Sequence, residues 1–205
     1  MGRGTVTEQD DAALFSEVLS EAIATVEQAE IAYAVFGSIA SFAYGRPDAS
    51  GDIDLLLRPH QADLALDALA EAGYAVERTD PAWIYKAWRD GVLVDLIFRT
   101  KGDIPLDDEV LAHAALMEYS GRVIRVVSPE DALVIEAAGN QSQEPQRWEN
   151  ALAILARCTI DWDYLERRAR FAARRTLSLL IYAQSNDLIV PERTIRSLFD
   201  SVYAR

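Results

Sequence analysis

Leu14, Val18, Ala22 and Val26 recur every fourth residue, with Phe15, Leu19 and Ile23 beside them. One apolar stripe at this period on an otherwise polar stretch predicts a helix over residues 11–30. The pattern then changes. IAYAVF (31–36) is short, apolar and partly β-branched, which predicts a buried strand ended by Gly37. Ser38 is placed to cap a short helix, SIASFAY, that stops at Gly45 and Pro47. DIDLLL (52–57) predicts a second strand, and HQADLALDALAEAG (60–73) a helix closed by Gly73. YAVERT, PAWIYKAW and VLVDLIF (92–98) read as three more strands. Asp90-Gly91, between the last two, is a hairpin signal, because a two-residue turn needs left-handed backbone at both positions. Residues 107–118 read as helix and RVIRVV (122–127) as strand.

At Ser128-Pro129-Glu130-Asp131 the alternation stops. A serine cap, a proline at the first helical position and acids behind it make a helix start. Everything beyond reads as helix, over 129–138, 146–157, 161–183 and 191–203, with a polar break from Gly139 to Pro145. The expected division is a mixed α/β (α+β) core over residues 1–128 and a helical C-terminal domain over 129–205. No internal repeat or low-complexity tract is visible.

Composition narrows the partners. The chain has 205 residues, half of them apolar, enough to bury a real core. Lys plus Arg is 20 and Asp plus Glu 33, so the formal net charge is 20 − 33 = −13. Such a surface repels polyanions at long range, and binding nucleic acid would need a local basic patch or bound cations. The single cysteine, Cys158, excludes an intrachain disulfide and a cysteine-based zinc site. No apolar signal core opens the chain and no run reaches membrane-spanning length. A soluble cytoplasmic protein with no membrane partner is expected.

The carboxylates carry the chemistry. Alternate residues of a strand face the same way, so Asp52 and Asp54 share one side and Ile53 takes the other. Two like charges so close destabilise each other unless a cation sits between them. A hard divalent ion with oxygen ligands, Mg²⁺ above all, suits them. Asp95 lies inside the apolar strand VLVDLIF, where an ionised carboxylate is costly unless metal-bound or paired with a neighbouring Arg or Lys. If the two strands are sheet neighbours, the three acids converge. Gly37-Ser38, between a strand and a helix, offers backbone N–H groups and a hydroxyl to an anion such as a phosphate.

Gly37-Ser38, Asp52-Ile53-Asp54 and Asp95, in that order, resemble the nucleotidyltransferase superfamily that includes DNA polymerase beta. Thirteen residues (39–51) separate Ser38 from Asp52, a spacing similar to that of AbiEii-type and MenT-type toxin nucleotidyltransferases and uncharacterised bacterial relatives. The resemblance covers the N-terminal half; the C-terminal half matches in being helical. It implies that Asp52 and Asp54 bind the Mg²⁺ ions holding a nucleoside triphosphate. It implies that Asp95 helps bind one metal near the attacking hydroxyl, as a candidate general base, and that Gly37 and Ser38 contact the phosphates. The implied reaction transfers a nucleoside monophosphate to RNA or tRNA, a protein hydroxyl or a small molecule. A toxin role, with an antitoxin partner, is compatible with it.

One departure qualifies the resemblance. Toxin-like relatives carry a lysine in the first helix after the boundary and aspartates in the next, where this chain has Glu136 and Asn150. A degenerate, non-catalytic relative that binds nucleotide or a partner is therefore the competing reading. Lys86 or Arg89 could replace the lysine, or lie on a solvated strand face. ERRARFAARR (166–175) would put Arg167, Arg168, Arg170, Arg174 and Arg175 within roughly 160° of one helix face, with Tyr164 and Phe171. It reads as a solvated face paired with acids, or as a grip on a polyanion. His60 and His113 are taken as structural, and Trp83, Trp88, Trp148 and Trp162 as packing residues.

Overall fold

A computed structural model describes residues 8–46, 51–139 and 146–204. The expected stop at Pro47 and most of the Gly139–Pro145 break lie outside these residues. The elements run α1 (Glu8–Gln28), β1 (Tyr33–Val35), α2 (Gly37–Ala43), β2 (Asp52–Leu57), α3 (Ala62–Glu71), β3 (Ala75–Asp80), β4 (Ile84–Arg89) and β5 (Val92–Ile97). Then follow α4 (Asp108–His113), β6 (Ala115–Tyr119), β7 (Arg122–Val126), α5 (Pro129–Gly139), α6 (Gln146–Arg157), α7 (Trp162–Arg168), α8 (Ala173–Ser185) and α9 (Glu192–Tyr203). This is the α/β architecture that the alternating pattern predicts, with helices alone at the C-terminal end.

The strands form one mixed sheet in the order β3-β4-β5-β2-β1-β7-β6. β2 pairs parallel with β5 and antiparallel with β1, and β1 pairs parallel with β7. The outer pairs are hairpins. Asp90 and Gly91 both have positive φ, 51° and 85°, so the turn between β4 and β5 has the conformation that Asp-Gly favours. Ile53, Val94 and Ala87 stand side by side on β2, β5 and β4 and are all fully buried. The helices that touch β4 and β5 are α1 and α3, so this row lies beneath them. α3 ends as Gly73 predicts, with Tyr74 N–H bonded to Leu69 O at 3.0 Å.

Two expectations fail. The helix over 107–118 stops at His113, and Ala115–Tyr119 is instead strand β6, paired with β7. Ser120 and Gly121, both with positive φ (50° and 81°), turn one strand into the other. The helix over 161–183 is broken. α7 ends at Arg168, a single 3₁₀ turn covers Ala169–Phe171, and α8 starts after Ala172 leaves helical backbone. The five arginines therefore do not share one helix face.

The break has a physical cause. Arg168 is wholly buried and donates to Asp131 Oδ1 through Nε at 2.8 Å and to Asp107 Oδ2 through Nη1 at 2.7 Å. Asp131 is also wholly buried, and it accepts the Tyr164 hydroxyl at 2.6 Å and that of Ser128 at 3.2 Å. Asp107 caps α4, accepting Val110 N–H at 2.9 Å. One guanidinium thus ties the starts of α4 and α5 to the end of α7. Burying such a group is tolerable only because Asp131 and Asp107 meet its charge and bond Nε and Nη1, while Nη2 has no hydrogen-bond partner among the described residues. His113 stacks flat on Tyr164, centroids 3.6 Å apart. Ser128 caps α5 as predicted, accepting Asp131 N–H at 3.1 Å.

Candidate active site

β2 and β5 place the acids. Their parallel register sets Asp54 directly beside Asp95, and β4 sets Lys86 directly beside Asp95 on its other side. Residues level with one another on neighbouring strands face the same way. Phe36 N–H donates to Asp54 O at 3.1 Å, which puts the end of β1 on the same line. One row therefore crosses the sheet from Phe36-Gly37 through Asp54 and Asp95 to Lys86, with Asp52 one pleat away on the side of Asp54. This is the face opposite the Ile53 row. Asp54 and Asp95 are half-buried and Asp52 is exposed.

Gly37 has a specific task here. Its φ is +64°, and a Cβ at this position would lie 2.0 Å from Asp54 Oδ2. The turn thus needs glycine twice, for its left-handed backbone and for the space that the Asp54 carboxylate fills. Sequence reasoning assigned that space to a phosphate. The expected Ser38 cap fails: α2 begins at Gly37, extended Phe36 holds the cap position without a side-chain cap hydrogen bond, and Ser38 is the second helical residue.

Two cations act on the acid row, Lys86 at Asp95 and Arg147 at Asp54. Lys86 Nζ lies 2.8 Å from Asp95 Oδ1, so Asp95 has the lysine partner that its apolar strand calls for. Burial, then the charges of Asp95 and Asp52, push the Asp54 carboxyl up to about 7, against the pull of Arg147. Among the described residues no three His, Cys, Asp or Glu side chains are gathered tightly enough to form a ready-made metal cage.

Of the two cations that the sequence offers as replacements, Lys86 lies in the row and Arg89 does not, and a third, Arg147, lies nearby. Arg89 does not reach the row: it bonds Ala72 O and pairs with Glu21 at 3.2 Å. Arg147, in the first turns of α6, instead lies 3.4 Å from Glu136, an α5 residue only 4 % exposed. Asn150 donates to the other Glu136 oxygen at 3.3 Å, and Arg46 donates to Asn150 Oδ1. Burial pushes the Glu136 carboxyl up, while Arg147 and Asn150 hold it back. A clue was available: α5 is buried along its length, and an acid in such a helix requires a partner.

A cleft of about 510 Å³ opens beside this row, lined by Phe36, Trp83, Ile97, Ile135, Gly139 and Arg147, with Arg99 and Lys101 also on its wall. Ile97 lies two residues beyond Asp95 and on the same face. Trp83 is 44 % exposed and faces ligand-accessible space, unlike a core packing residue. Of the second basic feature only Arg168 is spent inside the protein, and Arg167, Arg170, Arg174 and Arg175 are exposed. Arg168 is buried, Arg167 pairs with Glu109 at 3.1 Å, and Arg175 bonds Ala138 O. Among the described residues no helix is long and apolar enough to cross a membrane.

The fold has known counterparts. The solution structure of the antibiotic-resistance factor ANT(2'')-Ia aligns with a TM-score of 0.55 at 16% identity, over 85% of this chain and 98% of that one. An antigenic nucleotidyltransferase-like protein from Paracoccidioides brasiliensis gives 0.53 at 15% identity, over 87% and 94%. The lincosamide antibiotic adenylyltransferase LnuA, lincomycin-bound, gives 0.50 at 15% identity, over 73% and 98%. At such identities the likeness is one of fold. No curated protein matches the chain by sequence. Residues 15–179 match a family described as "Nucleotidyl transferase of unknown function (DUF2204)". That match spans both the acid row and most of the helical region, and by it the chain belongs to the DUF2204 family of nucleotidyl transferases.

Proposed function

We propose that the protein transfers a nucleoside monophosphate from a nucleoside triphosphate to the hydroxyl of a small-molecule acceptor, with Mg²⁺ held by Asp52, Asp54 and Asp95. The observation that carries the reading is the row itself: Asp54 wedged against Gly37, level with Asp95, and driven towards its neutral form by burial and then by its neighbouring acids. A donor set of carboxylate oxygens fits a hard divalent ion, and an ion among them relieves the repulsion that lifts Asp54. When bound, the ion would supply charge neutralisation for the triphosphate and for the oxygen attacking it.

The remaining roles fall to the chain. The Gly37-Ser38 turn borders the phosphates. Asp95 takes the acceptor's hydroxyl proton as that oxygen bonds the α-phosphorus and the bond to pyrophosphate breaks. Lys86 holds Asp95 Oδ1 in place beforehand. The cleft beside the row has the volume of a nucleoside or drug-sized ligand.

Three points support a small acceptor. The net charge is −13. Arg168 is buried and the break after α7 keeps the other arginines off a single helix face, which divides the proposed polyanion grip. Two proteins of like fold are an antibiotic-resistance factor and a lincosamide adenylyltransferase. Calorimetric titration of the four nucleoside triphosphates, with and without Mg²⁺, tests the site. Mg²⁺-dependent binding of one of them, lost in the Asp52→Ala/Asp54→Ala double variant, is expected. Absence of binding for all four would overturn the reading and favour a non-catalytic relative. Labelling from the bound triphosphate then names the acceptor, and label entering RNA or protein would overturn the small-molecule assignment. A toxin role adds one expectation, growth arrest on expression that Asp54→Ala relieves.

A further inference from the structure

Glu136 sets a problem that the reaction above leaves unsolved. A carboxylate 4 % exposed, on a helix buried along its length, adds negative charge near three aspartates that must receive a polyanionic triphosphate. The neighbours of Glu136 resolve it. Arg147 reaches Glu136 Oε2 at 3.4 Å, and Asn150 holds Oε1 at 3.3 Å. Asn150 passes the chain of bonds on to Arg46 at the end of α2. The Arg147 guanidinium crosses Gly139 so closely that a methyl group there would sit 3.0 Å from it. The same side chain lines the cleft with Phe36 and Ile97, the flanks of Gly37 and Asp95. Its charge is felt at Asp54, where it opposes the acids.

We infer that Arg147 is the triphosphate-binding cation of this chain and that Glu136 is its positioning residue, aiming the guanidinium from α6 into the cleft above the acid row. The inference rests on the nucleotidyltransferase reading above and adds the group that neutralises the incoming phosphates. A guanidinium suits the task, since its planar donor fork can hold a carboxylate on one edge and phosphate oxygens on the other. Glu136 fixes the fork, and Gly139 leaves room for it to lie against α5.

The test measures Kd for the Mg²⁺ complex of whichever of the four triphosphates the wild-type protein binds, with a thermal melt on every variant. Arg147→Met should weaken binding roughly 10- to 100-fold, the range for loss of a charge-assisted contact. Arg147→Lys should recover part of the loss. Glu136→Gln, which keeps a hydrogen-bond acceptor for Arg147 and removes the charge, should weaken binding by a smaller factor while melting like the wild type. The double variant Glu136→Lys/Arg147→Met, which supplies a cation from α5 instead, should bind better than Arg147→Met alone. A merely structural Glu136 would leave the affinity of a Glu136→Gln variant that melts like the wild type unchanged. Wild-type affinity in a folded Arg147→Met variant would overturn the inference and leave the nucleotidyltransferase reading standing, provided Asp52→Ala/Asp54→Ala still abolishes binding. Absence of binding by the wild type overturns both.

Discussion

Replacing Asp54 by asparagine should make the metal-free protein more stable, although it removes a residue at the centre of the site. An ordinary aspartate carboxyl sits at 3.8, and this one is pushed to about 7 by burial and by Asp95 and Asp52. An acid whose folded value lies above its unfolded one binds more protons when folded, so stability falls as pH rises between the two values. Below about pH 4 the group is neutral in both states and no penalty exists. Above about pH 7 the penalty is complete. The difference of about 3 decades in proton affinity, at about 1.4 kcal/mol each, sets an upper value near 4 kcal/mol. Partial solvent access to this half-buried carboxylate reduces that to roughly 2 kcal/mol. Asparagine has the same shape, carries no charge and fits the space that Gly37 leaves. Urea unfolding in EDTA, from pH 4.5 to 8.5, should show Asp54→Asn gaining on the wild type as pH rises. At pH 8 the gap should be about 2 kcal/mol, equivalent to about 4–8 °C in Tm for a chain of this size. Added Mg²⁺ should then stabilise the wild type and leave the variant unchanged. An asparagine variant that is less stable at pH 8, or a gap that does not vary with pH, would refute the picture of three crowded acids.

Three further outcomes follow from the geometry. Gly37→Ala should lower stability by about 1–3 kcal/mol in a thermal melt, from left-handed strain and from displacement of Asp54, and should abolish Mg²⁺-dependent nucleotide binding with it. Lys86→Met should destabilise the metal-free protein by about 1–3 kcal/mol by leaving Asp95 without its cation; Mg²⁺ should restore most of that loss, and a loss that Mg²⁺ leaves untouched would count against Asp95 as a metal ligand. Arg168→Met should cost about 3–5 kcal/mol, since it strands a buried Asp131, and an Asp131→Asn/Arg168→Met double variant should lose less than the sum of the two single variants in urea unfolding.

Much of the molecule is legible from local pattern. DIDLLL, the Asp-Gly turn and the Ser-Pro-Glu-Asp cap each carry their own local cause, and each lies where expected. The acids could be ordered along the chain and assigned faces, because strand alternation needs no tertiary information. Their meeting could not be derived, since the parallel pairing of β2 with β5 spans intervening strands and a helix. β6 was missed because AALMEY suits a helix as well as a strand, and the Ser120-Gly121 turn after it went unread. The break between α7 and α8 carries no proline or glycine. It is imposed by Arg168 turning inward to Asp131, a contact 37 residues distant in sequence. Arg147 is of the same kind: its identity is plain in the sequence, but its place beside Glu136 comes only from the packing of α6 on α5.

The acid row also protects its own alignment. The first pleats of β2 have faces of opposite character: Asp52 and Asp54 on one side, where a buried Leu56 follows them, and Ile53, Leu55 and Leu57, all fully buried, on the other. A slip of β2 by one residue against β1 and β5 would turn both carboxylates into the layer beneath α1 and α3 and lift the three apolar side chains out of it. Each misplaced charge would cost several kcal/mol, and a one-residue error offers no partial credit in a structure of period two. The residues that would grip the metal therefore also count the strand into position, and a misregistered sheet would be rejected during folding before it could present a defective site.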